Sequence, residues 1–173
     1  MNLFYQVTII LGVFTLLGDT TSVAQKPVSS TPCEISAYVI DKDSQQLNVR
    51  SAANPRSTII GKLPINTEVE VFASQGNWLL ISPLIANVER IKFQGRGWVY
   101  APLLGISTRG YDKDSVRMFA HPSYHSAVIG QIPSDTQVKL LSCQGAWTLV
   151  ETQRLKGWLS PQDQCAAALT TCS

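Results

Sequence analysis

Short segments of alternating apolar and polar residues run through most of the chain. Residues 67–71, Thr-Glu-Val-Glu-Val, alternate with a period of two, and residues 136–140, Thr-Gln-Val-Lys-Leu, do the same. A Trp-led apolar segment follows each of them after a Gly-containing pair, 76–77 or 145–146, which is typical of a β-hairpin. Because no sustained 3.6-residue period appears, the pattern predicts an all-β protein with no helix longer than a turn.

The chain also repeats itself. All four tryptophans fall into two matched pairs, Trp78 with Trp147 and Trp98 with Trp158. Further matches join Asp41–Ser44 to Asp112–Ser115, Val49-Arg50 to Val116-Arg117, Ile60-Gly61 to Ile129-Gly130, and Gln75-Gly76 to Gln144-Gly145. This alignment places a two-residue insertion in the loop after Pro122. The repeat predicts two domains, 35–104 and 105–165, after a leader at 25–34 and before a tail at 166–173.

Between its two tryptophans the first copy is nine residues longer than the second. The extra length falls in the loop Ser82–Gln94, because insertions belong in loops. The apolar side chains of this loop are Leu84, Ile85, Val88, Ile91 and Phe93. They indicate either a surface for a partner protein or a segment that covers its own domain.

The N-terminal segment has the features of an export signal. Its apolar run, Val7–Leu17, is shorter than the roughly 20 residues that span a bilayer. Small residues at Ser22 and Ala24 suit cleavage after residue 24. We therefore expect residues 1–24 to be a signal peptide, with no transmembrane segment left after cleavage and a secreted or periplasmic mature protein. The alternative is an uncleaved N-terminal anchor.

Four cysteines follow the signal, namely Cys33, Cys143, Cys165 and Cys172. An even number in an oxidising compartment favours disulfides, and four cysteines allow three pairings. We favour Cys143–Cys165 within the second copy, with Cys33–Cys172 joining the chain ends. Cys33–Cys165 is the alternative. No Cys/His spacing suits zinc, so no metal site is expected.

Charge and motifs limit the possible functions. The chain has 14 basic and 12 acidic residues, 45% apolar residues and 15% charged residues. This balance predicts a folded protein and argues against nucleic-acid binding, which needs clustered cations. The sequence has no phosphate loop, nucleophile elbow or HExxH motif, so we expect no catalytic residues, no cofactor and no enzyme activity. His121 and His125 flank Pro122, which favours a loop over a helical metal site.

Several motifs, in this order, resemble the bacterial SH3 (SH3b) domain. They are Leu47–Ser51, Ile60–Leu63, Thr67–Val71, Gly76–Trp78 and Gly97–Val99. The second copy keeps most of them but departs at Asp114-Ser115 and Met118-Phe119. The resemblance implies two small SH3-like β-barrels in tandem, of a kind used as exported binding modules.

Aromatic residues are the candidate ligand contacts. Trp78 and Trp147 follow a hairpin loop, where SH3-type barrels tend to expose an aromatic ring to a groove. The alternative interpretation is that both tryptophans pack in the core. Tyr100 and Tyr124 are added to them as ligand-binding candidates. Trp98 and Trp158 begin central strands and are interpreted as packing residues. Arg50 and Arg117, matched in the alignment, are interpreted as structural, with pairing to a ligand carboxylate as the alternative.

These observations predict an exported, non-catalytic binding protein. The expected ligand is a cell-wall peptide, peptidoglycan or another envelope component. The alternative is an adaptor that binds another envelope protein through sheet edges or the Ser82–Gln94 loop.

Overall fold

The computed structural model describes residues 29–43, 45–84, 91 and 93–169. The expected signal peptide and Cys172 lie outside the described residues. The strands of the first half are β1 Thr31–Val39, β2 Leu47–Arg50, β3 Ile59–Leu63, β4 Glu68–Gln75, β5 Trp78–Pro83 and β6 Gly97–Tyr100. Those of the second half are β7 Leu104–Thr108, β8 Ser115–Phe119, β9 Val128–Pro133, β10 Gln137–Gln144, β11 Trp147–Glu151, β12 Lys156–Leu159 and β13 Gln164–Cys165.

Single-turn helices are the only helical elements in the part of the chain that the structure describes. Ala101–Leu103 and Pro161–Asp163 each form one turn of 3-10 helix, each begun or continued by a proline. The expectation of an all-β protein without a longer helix is thus confirmed over the described residues. The start of β1 at Thr31 also places residues 31–34 in a strand, although the sequence assigned them to a leader.

All the strands belong to one antiparallel sheet, whose two halves repeat the same strand order. The order along the sheet is β3-β2-β6-β5-β4-β1-β7-β10-β11-β12-β8-β9, and β13 pairs with β7. Read outward from the centre, each half has the same sequence of equivalent strands. The two halves meet where β1 pairs with β7. The structure therefore shows one continuous open sheet, not the two separate closed barrels that the sequence predicted.

Strand β7 explains why the halves do not separate. It pairs with β1 through Leu104 and Gly105, and with β10 through Gly105, Ile106 and Ser107. It thus closes the first copy and begins the second. A strand that serves both copies leaves no residues for a linker between them.

Strand register shows that the two copies correspond at an offset of 69 residues from β1 to β5, before the connection that is nine residues longer in the first copy. In the first copy Gly61 pairs with Val49, and in the second Gly130 pairs with Met118. Arg50 pairs with Ile59, and its counterpart Phe119 pairs with Val128. The sequence match of Val49-Arg50 with Val116-Arg117 is therefore wrong by two residues. The alignment matched the two identical Val-Arg dipeptides, although the structural counterparts of Val49 and Arg50 are the dissimilar residues Met118 and Phe119.

The loops after β2 and β8 confirm this offset. Ser51 N–H donates to the carbonyl of Thr58, and Ala120 N–H donates to that of Ala127. Both loops therefore have the same length, and the expected two-residue insertion does not exist. Pro122 corresponds to Ala53, and Tyr124 corresponds to Pro55.

The hairpins that the Gly-containing pairs predicted are present. Gln75 pairs with Trp78 across one turn, and Gln144 pairs with Trp147 across the other. Gly76 and Gly145 have φ values of 57° and 54°. A residue without Cβ adopts this left-handed conformation without steric cost, as a two-residue hairpin loop requires.

Each half of the sheet encloses its own group of buried side chains. The core of the first copy includes Val49, Leu63, Val69, Leu79, Ile81 and Val99, and it also takes in Leu140 and Cys143 from β10. The core of the second copy includes Ile106, Val116, Met118, Ile132, Val138, Val150 and Leu159. Since β10 supplies both cores, the two halves share packing as well as a strand.

A disulfide between Cys33 and Cys143 ties the start of β1 to β10. The pairings favoured from the sequence, Cys143–Cys165 and Cys33–Cys172, are therefore wrong, and so is the alternative, Cys33–Cys165. The reason is that residue 33 belongs to a strand that lies against the β10–β11 turn, where Glu34 N–H donates to the Gly145 carbonyl at 2.8 Å. Cys165 is also disulfide-bonded.

Two hydroxyl contacts add to the link between the copies. Ser74 and Ser142 share a hydrogen bond of 2.6 Å between their side-chain oxygens. Tyr38 and Ser107 do the same at 2.6 Å. These contacts hold β4 to β10 and β1 to β7, so the two halves form one connected unit.

Candidate functional site

Aromatic side chains lie on the outer surface of the first copy, opposite its core. Leu79, Ile81 and Val99 are buried, and the residues that alternate with them point outward. Trp78 pairs in register with Tyr100, and Leu80 pairs with Trp98. The rings of Trp78 and Tyr100 meet edge to face, with 5.8 Å between their centres. We call Trp78, Trp98 and Tyr100 the first aromatic face.

The second copy has a tighter group of rings. Tyr124 lies 4.9 Å from Trp147, and Phe119 lies 5.5 Å from Trp147 and 6.2 Å from Tyr124, measured between ring centres. The Phe119 ring is nearly perpendicular to both others, and Tyr124 and Trp147 are inclined at 62°, so all three pairs meet edge to face, a favourable arrangement for aromatic quadrupoles. We call Phe119, Tyr124 and Trp147 the second aromatic face.

Each aromatic face includes one exposed tyrosine, but the two tyrosines occupy different positions in the two copies. In the first, Tyr100 comes from β6, and its counterpart in the second copy is the buried Ser160. In the second, Tyr124 comes from the loop after β8, at the position of Pro55. Tyr100 is 40% exposed and Tyr124 is 54% exposed, so each face presents a ring to solvent.

All four sequence-predicted contact residues thus meet in pairs. Trp78 joins Tyr100, and Trp147 joins Tyr124. Both tryptophans are half-buried and belong to neither core group. Their contact with a ligand stays a prediction.

Trp98 and Trp158 were interpreted as packing residues, but neither belongs to a core group. Both are half-buried on the outer surface of a central strand, between fully buried neighbours such as Val99 and Leu159. Trp98 pairs with Leu80 on one side and Arg50 on the other. The interpretation failed because the preceding glycine, not the tryptophan, faces inward: a Cβ at Gly97 would overlap Val49.

Phe119 is the site residue that the sequence missed. It is 2% exposed and touches both other rings of the second face. The sequence alignment matched Arg50 with Arg117 and so concealed that Phe119 is the true counterpart of Arg50. The pairing of Trp158 with Phe119 and of Trp98 with Arg50 makes the equivalence clear.

The arginines of the two copies are held differently. Arg50 is half-buried, and its Nη1 donates to the carbonyl of Ser57 at 2.8 Å. Arg117 is exposed, and its guanidinium carbon lies 5.6 Å from the centre of the Phe119 ring. The structural interpretation therefore holds for Arg50, whereas Arg117 lies at the margin of the second aromatic face.

The Ser82–Gln94 loop is only partly within the described residues, since Ile85 and Val88 lie outside them. Phe93 is 7% exposed and joins the first core, with Ile91 packed beside it. A Cβ at Gly61 would overlap the Phe93 ring, and at the equivalent Gly130 it would overlap Leu155. A cavity of about 300 Å³ lies beside this loop, lined by Pro83, Leu84, Ile91 and Phe93 among others. Phe93 and Ile91 thus cover their own half of the sheet.

One buried carboxylate is fully paired. Asp163 accepts a hydrogen bond from the Ser160 hydroxyl at 2.6 Å and forms an ion pair with Lys113 at 2.6 Å. Asp41 and Asp43 instead accept hydrogen bonds from backbone N–H groups within their own turn. Asp41 and Asp43 therefore stabilise a turn.

The described residues contain no group of three or more His, Cys, Asp and Glu side chains that could hold a metal ion. His121 and His125 lie in the loop after β8, as predicted from Pro122. Nor does any helix in the described part have the length and apolar character needed to cross a membrane.

Comparison with known families gives one match. The family model of the bacterial SH3 domain matches residues 45–105 and 114–163. A search of curated proteins gave no match.

Three solved structures share a weaker likeness. NlpC2 from Trichomonas vaginalis is 12% identical at a TM-score of 0.33, over 80% of this chain and 49% of that chain. NlpC1 from the same organism is 12% identical at 0.32, over 86% and 50%. An NlpC/P60 family protein from Bacillus cereus is 15% identical at 0.26, over 75% and 55%. This chain thus spans about half the length of each, and scores this low support no inference about activity.

Proposed function

The chain belongs to the bacterial SH3 domain family, and on that premise we propose that it is an exported, non-catalytic protein that binds peptidoglycan or another component of the cell envelope. The observation that carries the proposal is the recurrence of an exposed aromatic face in both copies. An aromatic ring offers a flat apolar surface beside a polar atom, which suits stacking on a sugar or a peptide.

The way in which the faces recur supports a ligand-binding role. The first face takes its exposed ring from a strand, whereas the second takes its ring from a loop. Packing does not require either exposed tyrosine, since each copy has its own buried core. Because both copies expose a tyrosine beside a tryptophan but take it from different positions, we infer that the exposed aromatic surface has a function.

Export is supported by the sequence signal and agrees with the disulfide. The Cys33–Cys143 bond joins the two halves of the sheet, and such structural disulfides persist in oxidising compartments. A secreted or periplasmic location follows from the proposal.

Co-sedimentation with purified insoluble peptidoglycan tests the function. We expect the mature protein, residues 25–173, to pellet with the wall material, and a Tyr100→Ala, Tyr124→Ala double variant to stay in solution. Both tyrosines are exposed, so the variant should keep its fold, which circular dichroism verifies. Tyr111→Ala is the matched control, because Tyr111 is 62% exposed and belongs to neither face. No soluble wall fragment should be released.

The result that contradicts the proposal is a wild-type protein that stays in solution. Release of wall fragments over time would overturn the non-catalytic part. An envelope adaptor is the second candidate, because the edge strands β3 and β9 expose equivalent aliphatic pairs, Ile59-Ile60 and Val128-Ile129. Cross-linking to one envelope protein, lost on charge substitution at these pairs, would favour it.

A further inference from the structure

The second aromatic face adjoins a cation whose hydrogen-bond donors are unused. Arg117 is exposed, and within the described residues its side chain makes no hydrogen bond or ion pair. Its guanidinium contacts the Phe119 ring. A guanidinium has five N–H donors in one plane, and contact with a ring face uses none of them.

Phe119 is the common neighbour of the groups around it. Tyr124, Trp147 and Arg117 each lie within about 6 Å of its ring centre. Since Phe119 is 2% exposed, it forms a shared wall and is not itself a contact surface. The exposed Tyr124 ring and the exposed Arg117 guanidinium therefore lie within about 12 Å of each other around the buried Phe119 ring.

The first copy lacks this combination. The counterpart of Arg117 is Asn48, which pairs with Lys62 in the adjacent strand. The arginine that does lie beside the first face, Arg50, already donates to Ser57. The first copy also has an exposed arginine on a ring, Arg96, whose guanidinium carbon lies 3.7 Å from the centre of Phe72. Phe72 is not part of the first aromatic face, so among the described residues only the second face has an unpaired guanidinium against one of its own rings.

We infer that the second copy holds a binding site for a ligand that carries a carboxylate next to an apolar face, stacked by Tyr124 and Trp147 and paired by Arg117. This inference rests on the proposed function, because it uses the second aromatic face. An arginine binds a carboxylate through two parallel charge-assisted hydrogen bonds, which also fix its orientation. The carboxylate belongs to a sugar acid or to a peptide end, since Arg117 recognises both in the same way.

Chemical-shift titration of the ¹⁵N-labelled mature protein tests the inference. The probes are N-acetylmuramic acid, its neutral methyl ester, and N-acetyl-alanyl-alanine. We expect an acid probe to shift the Trp147 indole and Arg117 Nε signals, with the ester binding at least about tenfold more weakly. A response to N-acetylmuramic acid assigns a sugar carboxylate, and a response to the dipeptide assigns a peptide carboxylate.

Variants give the test its controls. Arg117→Gln should abolish the preference for acid over ester, whereas Arg154→Gln, an equal charge change at another exposed arginine of the second copy, should leave it intact. Tyr124→Ala should weaken binding of the acid and of the ester alike. Equal binding of acid and ester by the wild type, or no shift at Trp147 with any probe, would overturn the inference.

This failure is distinguishable from failure of the proposed function. If the wild type and Arg117→Gln both pellet with peptidoglycan while no probe shifts Trp147, the inference is wrong and wall binding stands. If the wild type does not pellet but an acid probe shifts Arg117 and Trp147, the carboxylate site stands and wall binding is wrong.

Discussion

At the scale of single residues, the burial of a charged group determines how much its partners matter for stability. Asp163 is 4% exposed and has two partners, the Ser160 hydroxyl and the Lys113 ammonium. A buried carboxylate is stable only when its charge is paired and hydrogen-bonded. Lys113 is 41% exposed, so water can replace its partner. The two ends of this ion pair should therefore differ in their importance for folding.

We expect Asp163→Ala to lower the free energy of unfolding by about 1–3 kcal/mol, because it leaves the buried Ser160 hydroxyl without an acceptor. Lys113→Ala should lower it by less than about 1 kcal/mol, as expected of a partly exposed ion pair. Urea unfolding followed by tryptophan fluorescence measures both. Equal losses in the two variants would show that the ion pair, not the buried hydroxyl, dominates.

Residue correspondence is also where sequence reasoning was weakest. The repeat and the hairpins were predictable, because tryptophan, glycine and alternation are strong local signals. The offset between the copies was not, since Val49-Arg50 and Val116-Arg117 are identical yet occupy different registers. A one-dimensional match rewards identity, whereas strand register depends on which residues face the core.

At the scale of elements, the longer connection of the first copy supplies a core residue. Phe93 follows the extra residues and covers Gly61, and Leu155 covers the equivalent Gly130 in the second copy. Phe93 is almost fully buried, whereas Leu155 is half-buried. A larger side chain over the same glycine is therefore one structural result of the insertion. The sequence could not distinguish these roles, because an apolar loop has the same composition whether it packs on its own domain or binds a partner protein.

We expect Phe93→Ala to destabilise the protein by about 3 kcal/mol or more, through lost transfer energy and the cavity left behind. Leu155→Ala should destabilise it by less, because part of Leu155 is already in water. Denaturant unfolding of the two variants makes the comparison. A Phe93→Ala protein as stable as the wild type would mean that the loop does not close the first core.

At the scale of the whole molecule, the two copies behave as one body. Strand β7 belongs to both halves, β10 contributes to both cores, and a disulfide closes a loop over a sequence separation of 110 residues. Neither the shared strand nor the pairing could be predicted, because both depend on contacts between residues far apart in the chain. The cysteine count alone left three pairings open.

Such an arrangement predicts a single cooperative unfolding transition for the oxidised protein. Replacing Cys33 and Cys143 by serine should lower stability by about 2–4 kcal/mol, since the bond restricts a long loop in the unfolded chain. Near-ultraviolet circular dichroism and tryptophan fluorescence should give coincident transitions. Two separate transitions in the wild type would contradict a shared strand and core.

Two aromatic faces fixed on one rigid body also have a consequence for binding. Sites that engage the same polymer raise each other's effective concentration, so overall affinity exceeds that of either alone by about 10²–10⁴. Loss of one face should then weaken binding strongly without abolishing it.

The most direct test of the account is the binding isotherm of the mature protein on insoluble peptidoglycan, measured for wild type, Trp78→Ala, Trp147→Ala and the double variant. Each variant is first shown to unfold cooperatively. We predict that each single variant binds at least about 10²-fold more weakly than the wild type, and that the double variant does not bind measurably. Isotherms of the double variant that superimpose on those of the wild type would contradict the central claim that the aromatic faces hold the ligand.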